Sequence, residues 1–217
     1  MTDFALPFSR RRERSPLAAA AAPRPRSALG PFLAVLGIGL TLGLGATWLA
    51  VARNVSFGAV EVGPWTAWPR TGALDADPYT KASVARSGEA PLGLGEGLVF
   101  TARRDSAGRP LIARCSYAVV GRTPQARYWT LTVQTPGGQL MENPAQRYGF
   151  TSAEIVRPSV GAFTIAVSRE ARPGNWLPTS GDGRFDLVLR LYDTPVSPTG
   201  SAIEATAMPR IDAVGCS

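Results

Sequence analysis

Arginine and aromatic side chains in the second half of the chain are the groups best suited to hold a ligand. Arg147 and Tyr148 are adjacent, Trp176 lies in the segment NWLP at 175–178, and Arg190 lies inside an alternating apolar stretch. An arginine in the middle of a strand can bind a carboxylate or a phosphate through two parallel hydrogen bonds. These four residues are therefore the predicted ligand-binding candidates, with Trp176 as a platform that Arg147 and Arg190 would flank.

Each of these candidates also has a purely structural interpretation. Residues 174–178 favour a corner, in which Asn175 bonds to the backbone and Trp176 covers the core. Arg190 lies on the strand face that also carries Asp186, so an ion pair at the protein surface would explain it without a ligand. The pattern favours structure for the NWLP segment and leaves both interpretations open for Arg190.

Groups that perform acid–base catalysis are scarce. The 217 residues contain no histidine, which removes the commonest general base and the commonest metal ligand. A pair of carboxylates could still cleave a glycan or a related polymer, and the candidates are Asp75, Asp77, Glu89 and Glu96. Asp77 is better explained as a helix cap. The sequence therefore assigns no catalytic residue and no cofactor, and an envelope enzyme that uses carboxylates is the alternative function.

Cys115 and Cys216 are the only cysteines, and they are predicted to form a disulfide. Disulfides persist in oxidising compartments such as the periplasm. A bond that closes a loop of about a hundred residues stabilises the fold by up to roughly 4.7 kcal/mol in the chain-entropy account. The alternative is two unpaired thiols. Two cysteines without histidine fall short of a zinc site, so no metal is expected.

Residues 30–51 form an uncharged apolar run that is long enough to cross a membrane. A helix of these 22 residues spans about 33 Å, against a hydrocarbon core of about 30 Å. Six arginines precede the run and only Arg53 follows it closely. This bias predicts a bacterial inner-membrane protein with its N-terminus in the cytoplasm and its C-terminal part in the periplasm. Trp48 lies where an interfacial aromatic anchor is expected.

A cleaved signal peptide is the alternative to an uncleaved anchor. Residues 50–52, Ala-Val-Ala, could form a cleavage site, but the apolar run and the arm before it are both longer than signal peptides have. Arg11 and Arg12 match a twin-arginine signal only weakly, because Glu13 and Arg14 follow where apolar residues are preferred. The arm, residues 1–29, is basic and of low complexity, so it is predicted to be disordered and cytoplasmic.

The predicted partners are a membrane and an envelope protein or glycan ligand. Gly39 and Gly43 are four residues apart and could let two helices touch in a homodimer, although a glycine-rich anchor without a partner is the simpler explanation. The net charge of +7 is concentrated before the apolar run. The remaining arginines are scattered rather than clustered with aromatics, which argues against nucleic-acid binding.

Residues 52–217 are predicted to form an antiparallel β-sandwich of the jelly-roll kind, with one short helix. Apolar and polar residues alternate with a period of two between short turns, which is typical of antiparallel sheets with one face in water. The predicted strands are residues 97–104, 111–120, 127–134, 139–142, 152–156, 161–168 and 184–192.

The short helix is predicted at residues 78–87. Asp77 is a typical N-cap, Pro78 fits the first helical position, and Gly88 is a plausible stop. Its apolar side is predicted to carry Tyr79, Ala82 and Ala85.

The connector at residues 54–75 carries two tryptophans. Trp65 and Trp68 are expected to pack this segment onto the sandwich, and the alternative is that they stack against a sugar ring.

Several stretches together resemble a known bacterial family. These are ARYWTLTVQTPGGQL, NPAQRYGF, GNWLPTSGDGRFDLVLRLYD and the closing MPRIDAVGCS, with GPWTAWPRTGALDADPYTKA upstream. The chain resembles domain of unknown function 1214 in its short membrane-anchored form. The resemblance implies a jelly-roll-like β-sandwich and no agreed activity, so it transfers no catalytic residues. The expected function is that of a binding or structural component of the envelope.

Overall fold

The computed structural model of the chain describes residues 28–52, 58–88, 90–93, 95–158, 161–195 and 207–216. The chain divides into two compact units, residues 1–44 and 45–217. Two helices, α1 (Leu29–Ala52) and α2 (Pro78–Ser87), precede most of the strands. The ten strands are β1 Val60–Val62, β2 Trp65–Ala67, β3 Gly97–Ala102, β4 Cys115–Gly121, β5 Tyr128–Gln134, β6 Gly149–Thr151, β7 Phe163–Ser168, β8 Asn175–Pro178, β9 Asp186–Tyr192 and β10 Arg210–Cys216.

Helix α1 covers the predicted apolar run. It has 24 residues, no charged side chain and no buried residue, and it is long and apolar enough to cross a membrane. Thr41 donates a hydrogen bond back to the carbonyl oxygen of Gly37, which satisfies its hydroxyl group within the helix itself. A signal sequence near the N-terminus can also form an apolar helix of this kind, so the helix is consistent with a signal sequence or a membrane anchor. The predicted disordered arm lies almost wholly outside the described residues.

A six-stranded antiparallel sheet forms the larger layer of the β domain, in the order β1-β2-β3-β9-β5-β6. Its centre is β9, which pairs with β3 on one side and with β5 on the other. The predicted alternation of β3, β5 and β9 is confirmed, since one face of each strand is buried. We call this the inner face, and we call the opposite face, which carries Val99, Thr101 and Arg190, the outer face.

A four-stranded mixed sheet, in the order β10-β4-β7-β8, forms the smaller layer. β4 pairs antiparallel with β10 and with β7. β8 pairs parallel with β7, so the expectation of purely antiparallel sheets is wrong at this one edge. The NWLP segment is thus a strand that follows Gly174, whose φ of 82° needs a glycine, and not only a corner.

Both sheets contribute to one hydrophobic core. Trp65 is completely buried, and its indole Nε1 donates to the carbonyl oxygen of Pro209 over 2.7 Å. This satisfies the tryptophan's only polar atom, as the burial of tryptophan requires. Phe100 and Ile211 are also completely buried, which ties β3 and β10 to the same core.

The predicted helix at 78–87 is confirmed together with its caps. The carboxylate of Asp77 accepts hydrogen bonds from the backbone N–H groups of Tyr79 and Thr80, each over 3.0 Å. Gly88 ends the helix in the left-handed region with a φ of 67°. The predicted apolar side is wrong: Tyr79, Ala82 and Ala85 are exposed, and Thr80 and Ser83 are buried instead.

Two strand predictions need correction. Residues 139–142 form only a single bridge, between Leu140 and Gln134. The strand expected at 152–156 lies instead at Gly149–Thr151. A Cβ at position 149 would lie 2.6 Å from the carbonyl oxygen of Leu131, so only glycine permits this close approach to β5. The sequence does not predict β1, β2 or β10, since β1 and β2 have only three residues each and β10 buries a single side chain.

Candidate functional site

A pocket of about 160 Å³ opens between α2 and the outer face of the six-stranded sheet. Its walls come from α2, from β3 with Arg103 directly after it, and from the segments 68–71 and 91–92. Five of the lining residues carry hydroxyl groups, namely Thr71, Thr80, Ser83, Ser87 and Thr101. The larger apolar lining residues are Trp68, Pro69, Val84, Pro91, Leu92, Leu98 and Val99. Arg103 is the charged residue among the lining residues that the structure describes.

The hydroxyl groups of α2 reach the pocket because of their spacing. Thr80, Ser83, Val84 and Ser87 are separated by three, one and three residues, which places them on one face of a helix. The Asp77 cap and the Gly88 stop fix the ends of this helix. The residue pattern therefore presents three hydroxyl groups and one valine to the sheet.

The part of the pocket wall formed by segments 68–71 and 91–92 depends on a close backbone contact. A Cβ at Gly72 would lie 2.0 Å from the carbonyl oxygen of Leu92, so any larger residue would push the two segments apart. Trp68, Pro69 and Thr71 precede this glycine directly. The contact therefore holds both lining segments together at that side of the pocket.

Ser83 is the most unusual residue of the pocket. Only 8% of the residue is exposed, and its Oγ has no hydrogen-bond partner. Leaving a buried hydroxyl unpaired costs about 1–3 kcal/mol, which is why such groups are rare in folded proteins. Its neighbour Thr80 is buried too, but the Oγ1 of Thr80 donates to the carboxylate of Asp77. The fold therefore leaves one buried polar atom of a pocket-lining residue without a partner within the protein.

The charged part of the pocket is an arginine–carboxylate pair. Arg103 Nε lies 3.3 Å from Asp186 Oδ2, and Asp186 is 7% exposed. Burial raises the pKa of Asp186, and the positive charge of Arg103 opposes that rise. The Arg103 guanidinium also lies 5.9 Å from the ring centre of Trp68, within the range of a cation–π contact.

Three of the predicted ligand-binding residues lie at a different place, near the β6 and β8 edges. Arg147 is exposed, donates to the carbonyl oxygen of Trp176 over 3.2 Å and lies 5.4 Å above the Phe150 ring. Tyr148 donates to Glu142, and desolvation together with the negative charge of Glu142 raises its pKa. The structure thus brings Arg147 into contact with Trp176, while the hydroxyl group of Tyr148 bonds to Glu142.

Asn175 serves the fold as the structural interpretation expects, whereas the core residue of this strand is Leu177 and not Trp176. Asn175 bonds to the backbone with both side-chain atoms, donating to Val156 and Thr164 and accepting from Val156. Trp176 is half-buried, and its indole N–H donates to Ser168 over 3.0 Å. A role for Trp176 in ligand binding stays a prediction.

Arg190 lies on the outer face, away from Trp176. It is paired across the sheet with Val99, a pocket residue, and its Nη1 lies 3.5 Å from Thr132 Oγ1. The carboxylate of Asp186 forms its ion pair with Arg103. Arg190 therefore borders the pocket under α2, and the predicted set of four does not form one site.

The candidate carboxylates have separate structural roles. Asp75 pairs with Arg70, Asp77 caps α2, and Glu96 accepts from the backbone N–H of Gly93. Glu89 lies outside the described residues. No aspartate or glutamate is among the described residues that line the pocket.

The cysteine prediction is confirmed, because Cys115 and Cys216 form a disulfide with their Cα atoms 4.0 Å apart. The two residues are directly opposite each other in the pairing of β4 with β10. Within the described residues, no cluster of three or more metal-ligating side chains occurs.

The two tryptophans of the connector lie in different places. Trp65 packs into the core as expected, and Trp68 lines the pocket.

Comparison with known proteins identifies a domain but no activity. Residues 96–196 match the family described as "Protein of unknown function (DUF1214)". No curated protein matches the chain. The pocket lies partly within this domain, through β3, and partly before it, through α2.

One solved bacterial structure is similar in fold, and a second matches more weakly. The VPA0106 protein from Vibrio parahaemolyticus has 19% sequence identity and a TM-score of 0.53, with 84% of this chain and 45% of that chain covered. An uncharacterised protein from Burkholderia cenocepacia has 18% identity and a TM-score of 0.41, with 81% and 52% covered. The chain thus spans about half the length of these proteins, and the similarity concerns the fold alone.

Proposed function

We propose that the chain is a ligand-binding protein of the bacterial cell envelope, held at the outer side of the inner membrane by α1. The observation that carries the proposal is the pocket under α2, where Ser83 presents a buried hydroxyl group that the protein itself leaves unpaired. An unpaired buried hydroxyl destabilises the fold, and a bound ligand that forms a hydrogen bond with it would remove that destabilisation.

Three features support a place outside the cytoplasm. Helix α1 is about 36 Å long by its 24 residues, which matches a membrane core of about 30 Å with some tilt. Six arginines before it favour a cytoplasmic N-terminus. The disulfide between Cys115 and Cys216 is the kind of bond that persists in an oxidising compartment.

The domain organisation follows from this placement. We propose that residues 1–29 are a cytoplasmic arm, that residues 30–51 cross the membrane, and that residues 52–217 form the periplasmic domain. Two sheets that share one core support a β-sandwich of the jelly-roll kind for that domain. Contact between two copies through Gly39 and Gly43 is a further proposal, supported only by the small side chains at that spacing.

A reporter fusion tests the placement. Alkaline phosphatase joined after Ser217 is active only outside the cytoplasm, so we expect an active fusion in the membrane fraction. As a control, the fusion with Leu36→Arg and Leu40→Arg in the centre of α1 should lose membrane insertion. An active fusion found only in the soluble periplasmic fraction would show that α1 is cleaved, and an inactive one would show the opposite orientation.

Native mass spectrometry tests the binding function. The full chain, purified from bacterial membranes, should retain a small molecule that a pocket-filling Val84→Phe variant loses. Ala85→Phe is the matched control, since Ala85 is exposed on the same helix. If the wild-type protein carries no small molecule and a broad thermal-shift screen finds none, the binding function is wrong.

A further inference from the structure

We infer that the pocket takes a neutral, polyhydroxylated ring, which is the chemistry of a sugar residue; this inference rests on the proposed binding function. The argument uses the charges, the hydrogen-bonding groups and the apolar surface of the pocket, each of which selects against other classes of small molecule.

The charges of the pocket favour a neutral ligand. Arg103 is the charged side chain among the described lining residues, and the carboxylate of Asp186 already lies 3.3 Å from it. Asp186 already offsets much of the charge of Arg103, so an anion gains less from the guanidinium, and a cation would meet Arg103 without a lining carboxylate to offset the repulsion. A ligand without net charge avoids both penalties.

The hydroxyl groups of the pocket mainly offer acceptors. Thr71 Oγ1 donates its proton to the carbonyl oxygen of Trp68, and Thr80 Oγ1 donates its proton to Asp77. Each of these oxygens keeps lone pairs that can accept a hydrogen bond. A ligand with several O–H donors therefore matches them, whereas a ligand with acceptors alone does not.

Ser83 and Arg103 add donors to the same pocket. Ser83 Oγ has no partner and can both donate and accept. Arg103 bonds to Asp186 through Nε, and its two terminal nitrogens are further hydrogen-bond donors. Donors and acceptors lining one small pocket match a molecule whose hydroxyl groups are both, which is the property of a sugar.

The apolar lining suits the faces of such a ring. Trp68 is half-buried, and Val84, Pro91 and Leu92 complete the apolar surface of the pocket. The face of an aromatic ring can cover the C–H groups of a sugar ring and remove them from water, while the ring's hydroxyl groups point sideways to polar partners. A linear polyol has no such flat face.

Titration of the full chain with single sugars tests the inference. The protein is purified in a zwitterionic detergent, because detergents with a sugar headgroup would themselves compete for the pocket. The probes are glucose, galactose and N-acetylglucosamine, with acetate and inorganic phosphate as anions, and the measurement is isothermal titration calorimetry. We expect at least one sugar to bind and both anions to fail.

Two variants place the binding in the pocket. Ser83→Ala should raise the Kd for the sugar about two- to tenfold, which corresponds to one lost neutral hydrogen bond. Trp68→Ala should raise it roughly tenfold, through the loss of stacking. The matched controls Ser116→Ala on β4 and Trp176→Ala on β8 should leave the Kd unchanged.

The outcomes separate this inference from the binding function. If no sugar binds, or if the pocket variants leave the Kd of a sugar unchanged, the inference is wrong. If acetate or phosphate binds in the pocket instead, the sugar class is wrong while the binding function stands. Loss of sugar affinity in the Trp176→Ala control alone would move the site to the β8 edge and overturn the inference.

Discussion

The two faces of the six-stranded sheet differ in how they bury polar atoms. On the inner face, Trp65 is completely buried and its single polar atom has a partner. On the outer face, Asp186 and Val188 are also buried, but the helix that faces them adds Ser83 without a partner. The degree of burial is thus similar, and what distinguishes a core from a binding site is whether the buried polar groups are satisfied within the protein.

Buried polar groups elsewhere in the domain differ from Ser83, because they have hydrogen-bond partners within the protein. Thr179 is 2% exposed, and its Oγ1 donates to the carbonyl oxygen of Ala113 over 3.0 Å. Asp105 is 2% exposed and accepts bonds from Ala107 and Arg109. The described domain therefore pairs its buried polar groups in general, which makes Ser83 an exception that a function would explain.

The largest effect is expected at the inner face. Trp65→Ala removes the largest completely buried side chain and leaves the carbonyl oxygen of Pro209 without its partner. We expect the free energy of unfolding to fall by about 3–5 kcal/mol. Urea denaturation followed by circular dichroism measures this change. Leu74→Ala is the control, because Leu74 is 99% exposed and its loss should change little. A decrease below about 1 kcal/mol would contradict the assignment of Trp65 to the core.

Adjacent residues of β9 compare the two faces directly. Leu189 is on the inner face and Val188 on the outer face, with 1% and 4% exposed. Leu189→Ala should lower the free energy of unfolding by about 2–5 kcal/mol. Val188→Ala should lower the free energy of unfolding by roughly 1–2 kcal/mol, because this change removes only two carbon atoms from a buried environment. Equal losses in the same urea titration would show that the two faces are equally well packed.

Two buried hydroxyl groups should respond in opposite directions. Thr179→Val removes a paired hydroxyl at nearly constant volume, so the free energy of unfolding should fall by about 1 kcal/mol. Ser83→Ala removes an unpaired hydroxyl, so it should rise by about 1 kcal/mol in the ligand-free protein. Thermal unfolding of the two variants beside wild type measures both signs. A destabilised Ser83→Ala variant would mean that Ser83 has a partner within the protein.

The smallest effects are expected from two buried carboxylates, Asp105 and Asp186, which make the free energy of unfolding depend on pH. Burial tends to raise the pKa of Asp105, but hydrogen bonds from Arg109 and Ala107 outweigh it, and the net pKa is lowered. The stability that Asp105 contributes is therefore present above its unfolded pKa of about 3.9 and is lost as pH falls through the folded value. The pKa of Asp186 is raised by burial, so its protonation favours the folded state as pH falls from the folded value toward about 3.9.

Asparagine variants test these opposite signs. Asp105→Asn should reduce the loss of stability at acid pH, and Asp186→Asn should increase it, when urea unfolding is measured at a series of pH values. Asp182→Asn is the control, because Asp182 is exposed and is paired only with the exposed Arg169. A shift of the same sign in both variants would contradict the proposed difference between the two environments.

The parts of the fold that were predictable are those that local chemistry determines. The caps of α2 follow from Asp77, Pro78 and Gly88 alone, and the alternation of β5 follows from Trp129, Leu131 and Val133. The orientation of α2 was not predictable from apolar residues. Its buried side carries Thr80 and Ser83, and its exposed side carries Tyr79.

The candidate site was harder to predict than the fold. Arg147, Tyr148 and Trp176 are predicted candidates because of their residue types. The pocket, in contrast, is lined mostly by serine, threonine, proline and aliphatic residues. The spacing of Thr80, Ser83, Val84 and Ser87 on one helix face was the available signal. The pairing of Arg103 with Asp186 could not be seen, because the two residues are 83 positions apart and meet only through the pairing of β3 with β9.

The position of β10 has a consequence for biogenesis. Ile211 completes the core, and Pro209 provides the acceptor for Trp65, so both depend on a segment that the ribosome delivers after all the other described strands. Until that segment arrives, β4 has one edge without a neighbour, and Cys115 lacks its oxidation partner. We therefore expect maturation to be post-translational: the β domain would cross the bilayer unfolded, with the residues after α1 leading, and would acquire its native structure only once β10 has emerged.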